Sequence, residues 1–104
     1  MYEQRRPERS LQDLLRQLKL AHERLSDLAW ELEELELRLQ PLQAQLQEGG
    51  TVDPLVRREV ELLRRRRSEQ EELILQQMLR IDELEASLEQ RRSAGKYGEQ
   101  EAAV

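Results

Sequence analysis

The side chains able to do chemistry are few in kind and poorly arranged for it. Cys is absent and His22 is the one histidine. No thiolate nucleophile, disulfide or thiolate metal site is therefore available, and His22, beside Glu23, has no further ligands at a metal-binding spacing. The serines Ser10, Ser26, Ser68, Ser87 and Ser93 lack a neighbouring base in any pattern that activates a hydroxyl. Gly49-Gly50 is not followed by the Lys-Ser or Lys-Thr of a phosphate-binding loop. Asp and Glu number 22 in 104 residues, but acid–base catalysis needs carboxyls held in a water-shielded cleft. The residues predict no enzyme, no metal and no cofactor.

Binding chemistry is better represented. Arg64, Arg65, Arg66 and Arg67 form a cationic run of the kind that attracts phosphate. Glu59 and Glu61 precede it, Glu69, Glu71 and Glu72 follow it, and no aromatic residue for base stacking stands nearby. The run is therefore expected to pair with carboxylates of its own molecule, which argues against nucleic acid as the partner. Trp30, Leu37 and Ala44 recur one heptad apart, and Trp is enriched at binding hot spots. Scattered apolar side chains are also ordinary on helix surfaces, so the stripe is a candidate protein-binding face only if it lies away from the core. Leu73, Ile74, Leu75, Met78 and Leu79 crowd more than one helix face. Such a cluster fits either extra core contacts in a dimeric four-helix bundle or a site for a different protein.

The elements that must position these residues follow from composition and period. Charged residues make up 38% and aromatic residues 3% of the chain, a balance typical of long helices and coiled coils. Leu, Glu, Gln and Arg dominate, and all favour helix. From Leu11 the apolar residues step alternately by three and four through Leu14, Leu18, Ala21, Leu25, Leu28, Leu32, Leu35, Leu39, Leu42 and Leu46. That is an a/d heptad seam with the period of a left-handed supercoil. A second seam runs through Val56, Val60, Leu63, Arg67, Gln70, Ile74, Gln77, Ile81, Leu84 and Leu88.

Punctuation sets the boundaries. Residues 1–9 read as a flexible arm, and Ser10 with Asp13 resembles a capping box, so the first helix is expected over 10–48. Pro41 removes a helical donor, predicting a kink or an early end. Gly49-Gly50 opens a turn over 49–53, and Asp53 with Pro54 suits a helix start. The second helix is expected over 54–92, ending near Arg92 where Gly95 can cap it, with a disordered tail over 93–104.

Folding one helix back on the other aligns the seams without adjustment. Leu46 then meets Val56, Leu42 meets Val60, Leu39 meets Leu63, Leu28 meets Ile74, Ala21 meets Ile81, Leu18 meets Leu84, and Leu14 meets Leu88. The same fold sets Leu32 against Gln70 and Leu25 against Gln77, lays the arginine run alongside Glu31, Glu33, Glu34 and Glu36, and brings Lys19 near Glu83. A parallel pairing would instead bury Arg67 against itself. The expected architecture is all-α: an antiparallel two-helix coiled-coil hairpin that dimerises into a four-helix bundle.

Net charge is −5 with both signs interspersed, and no run approaches the roughly 18 apolar residues of a membrane span. Together with the missing Cys, this predicts an intracellular, cytoplasmic protein. Its expected function is that of a self-associating adaptor or scaffold with a protein partner. The alternatives are a helical finger that docks a regulatory protein such as a small GTPase, or a nucleic-acid or membrane-surface accessory protein using Arg64–Arg67.

Overall fold

A computed structural model of the chain describes residues 10–48 and 53–103. Its elements are α1, Leu11–Gln47, and α2, Pro54–Ala103, which form a helical hairpin, and no strand occurs among the described residues. The expected flexible arm and the Gly49-Gly50 bend lie outside the described residues.

Both helix starts are built by local side chains. Ser10 Oγ accepts from the Asp13 backbone amide at 3.1 Å, while the Ser10 carbonyl accepts from the Leu14 amide. Asp13 adds a first-turn negative charge and pairs with Arg16 at 2.7 Å. Asp53 Oδ1 accepts from the Leu55 amide at 2.9 Å, and the Asp53 carbonyl from the Arg57 amide. Pro54 occupies the first helical position, where its missing N–H leaves no bond unmade.

The element bounds decide between the two alternatives at Pro41 and correct the expected end of the second helix. Pro41 does not end α1, which continues through it to Gln47. The proline side chain is exposed, so its ring displaces nothing from the core, and it removes the bond to the Leu37 carbonyl without ending the helix. α2 likewise does not stop near Arg92 but runs on to Ala103, through the segment expected to be disordered. No proline follows Arg92, and Ala94, Gln100, Glu101, Ala102 and Ala103 favour helix. Gly95 and Gly98 each oppose it by only about 1 kcal/mol.

The described chain divides into two compact units, Leu25–Gln76 on one side and Met1–Arg24 with Gln77–Val104 on the other. In the first, Leu39 and Val60 are each 1% exposed and form a core with Leu63, against which Leu35, Leu42, Leu46 and Val56 pack. Leu28 is buried, and Leu25, Leu32, Arg67, Gln70 and Ile74 are half-buried. In the second unit Leu14, Ala21, Ile81, Leu84 and Leu88 are buried and Leu18 and Gln77 half-buried, while Leu11 at the start of the seam is exposed. The repeat of three and four thus marks the face each helix turns inward, and the burial of these side chains supplies the stabilisation that helix propensity alone does not.

Candidate protein interface

The half-buried glutamines of the seam establish how the two helices are aligned. In the Leu25–Gln76 unit, Gln70 Nε2 donates to the Leu28 carbonyl at 3.0 Å and to Glu31 Oε2 at 3.3 Å. In the other unit, Gln77 Nε2 donates to the Ala21 carbonyl at 2.9 Å. Each carbonyl belongs to a residue well inside α1, so the glutamine uses its second lone pair. The sequence placed these glutamines opposite Leu32 and Leu25; their amides reach one turn back along α1, toward its N-terminus. Beside Ala21 the small side chain leaves the carbonyl open to approach.

Edge contacts repeat the alignment. Arg80 Nη2 donates to Gln17 Oε1 at 3.4 Å in one unit. In the other, the Gln43 amide, turned with its oxygen toward Arg64, accepts from Nε at 3.1 Å and Nη2 at 3.2 Å. The expected ion pairing of the arginine run with Glu31, Glu33, Glu34 and Glu36 is not formed. Among the described residues the one ion pair within 4.0 Å joins Arg16 to Asp13, and Lys19 makes none with Glu83. Arg64 stands on the edge of the seam facing Gln43, while Arg65 and Arg66 are exposed with no carboxylate within 4.0 Å.

The apolar residues left off the seam stay in solvent. Trp30 is 62% and Leu37 59% exposed, and Ala44 is exposed as well. In the same unit Leu55 is 74% exposed, and Leu62, Leu73 and Leu75 are exposed; in the other unit Met78 and Leu79 are exposed. Neither pair of candidates, Leu73 with Leu75 or Met78 with Leu79, contributes to the hairpin core.

Beside Trp30 lies an open groove of about 300 Å³ lined by Trp30, Glu31, Glu34, Leu35, Arg38 and Gln70. An exposed indole flanked by both signs of charge is suited to gripping another helix, through apolar area and through rim pairs. Glu31, Glu34 and Arg38 had not been singled out as interface residues in the sequence. Their signal was present in the heptad, since they occupy the positions bordering the seam on one side. Among the described residues no cluster of three or more His, Cys, Asp or Glu is arranged to hold a metal ion, and no helix is long and apolar enough to cross a membrane.

No family model, curated protein or solved structure matches this chain.

Proposed function

We propose that this chain is a non-enzymatic protein–protein interaction module, a coiled-coil hairpin that serves as adaptor or scaffold and self-associates as a homodimer, its two hairpins forming a four-helix bundle. The reading rests on Trp30. The chain's one tryptophan stands 62% exposed on the face opposite a seam that already has its partners. Covering a large apolar side chain stabilises by about 1.5–3 kcal/mol, and Leu37, Leu55, Leu62 and Leu73 add to the uncovered area of the same unit. A cytoplasmic location, expected from the missing cysteines, belongs to the same proposal.

Sedimentation equilibrium over a wide concentration range tests it. The mass should climb from one chain toward two, and Trp30→Ala should move that rise to higher concentration. A single-chain mass throughout would refute self-association.

One observation favours a second reading, in which Arg64–Arg67 bind nucleic acid or an anionic membrane surface: Arg65 and Arg66 are exposed and have no carboxylate within 4.0 Å. Binding of labelled duplex DNA, RNA or phosphatidylserine vesicles at low salt, lost steeply as salt rises, would support it. Absence of binding at low salt would eliminate it.

A further inference from the structure

We infer that the second copy docks edge to edge, so that α1 of each hairpin lies against α2 of the other, with Trp30 of one copy on Leu73 of its partner and Glu34 opposite Arg66. This rests on the self-association proposed above and names its geometry.

The argument begins with height along the hairpin. Gln70 touches both Leu28 and Glu31, and Leu39 packs with Val60 and Leu63. In an antiparallel pair, moving forward along α1 means moving back along α2. Gln70 stands between the heights of Leu28 and Glu31, so Glu34 falls between the heights of Arg64 and Arg67, a span that includes Arg66. Trp30 falls between the heights of Ser68 and Glu71, less than one turn from Leu73, and Arg38 between Val60 and Leu63, beside Leu62.

Next comes the edge on which they stand. Relative to the two seams, Arg66 and Leu73 on α2 take the g positions and Glu34 on α1 and Leu62 on α2 the adjoining c positions of one edge, while Trp30, opposite the seam of α1, borders that edge and lines its groove. The groove beside Trp30 opens on that side and includes Gln70 of α2. The opposite edge of this unit carries Arg64, Gln43 and Glu36, which is far less apolar. One edge thus holds exposed Trp30, Leu62 and Leu73, together with a carboxylate and a guanidinium at equal height that do not pair with each other inside the hairpin.

A two-fold axis parallel to the helices satisfies both. It sets α1 beside α2 of the partner at the same height and in antiparallel sense, so Glu34 meets the partner's guanidinium twice, once across each half of the interface. An isologous contact of this kind closes at two copies. A two-fold that crosses α1 at the height of Glu34 and pairs α1 with α1 would instead bring Glu34 against its own equivalent, and like charges at close range oppose association.

Charge reversal tests this geometry. Glu34→Arg alone and Arg66→Glu alone each put like charges together twice, and each should weaken the dimer by roughly tenfold. An equimolar mixture of the two variants, or the double variant carrying both changes, restores opposite charges at both contacts and should recover native association. Both side chains are exposed, and circular dichroism should show unchanged helix content. Sedimentation separates the outcomes. If the native chain dimerises but either reversal leaves the dissociation constant unchanged, or if both reversals weaken it and neither mixture nor double variant recovers it, the edge-to-edge geometry is overturned while self-association stands. A native chain that never dimerises overturns both.

Discussion

At the scale of single residues, Gln70 and Gln77 show how polar groups can direct a coiled coil without supplying much of its stability. Each donates to a helical carbonyl, so each replaces hydration of an amide by a bond that is worth about 1 kcal/mol net. Gln77→Ala should therefore destabilise the hairpin by about 1 kcal/mol in urea unfolding. Gln77→Leu should be neutral or stabilising, because the Ala21 carbonyl still accepts its own helical amide when the side chain is gone. A loss of several kcal/mol in Gln77→Leu would mean that the glutamine contributes more than alignment. Leu39 is the opposite case. It is 1% exposed with Val60 and Leu63 against it, and Leu39→Ala should cost about 2–5 kcal/mol through lost burial and the cavity left behind. Leu37→Ala, two positions away and largely in solvent, should change the stability of the dilute hairpin by no more than about 0.5 kcal/mol. If the two substitutions were equivalent in denaturant unfolding, the assignment of inward and outward faces would not hold.

At the scale of elements, α1 carries an avoidable defect. Pro41 is exposed and interior to the helix, and nothing that packs in the core depends on its ring. Pro41→Ala restores the amide that bonds to the Leu37 carbonyl and should stabilise by up to about 3 kcal/mol, read as a raised unfolding midpoint. A lowered midpoint would indicate that the proline shapes α1 in a way the hairpin requires. Such local terms decide what can be read from sequence. The seams were legible because burial of Leu at alternating steps of three and four is a strong, periodic signal, and the caps because Ser10, Asp53 and Pro54 act on amides a few residues away. The continuation of α2 past Arg92 was harder to read, since Gly95 and Gly98 are permissive residues that weaken a helix without ending it. The failure of the arginine run to find carboxylates was harder still. Position along a helix follows from counting residues, but the direction in which a long, flexible guanidinium leaves the edge depends on neighbours such as Gln43.

At the scale of the whole molecule, a hairpin whose inner seam is closed while its outer face keeps Trp30, Leu37 and several leucines in solvent should have a stability that depends on how much of it is present. Association removes that apolar area from water, and only the folded chain can associate in this way, so dimerisation draws the unfolding equilibrium toward the native side. Each tenfold rise in protein concentration should add about 1.4 kcal/mol per mole of dimer, and the thermal midpoint should climb accordingly. Trp30→Ala should flatten that dependence while leaving the dilute midpoint near the native one, because the indole contributes to the contact between copies and little to the seam. Raised salt should lower the concentrated midpoint only modestly, since rim charges choose the orientation and the apolar area supplies most of the affinity. Differential scanning calorimetry across concentrations distinguishes these terms: a native midpoint that does not move with concentration would leave the outer face without a role in self-association and redirect it to a foreign protein.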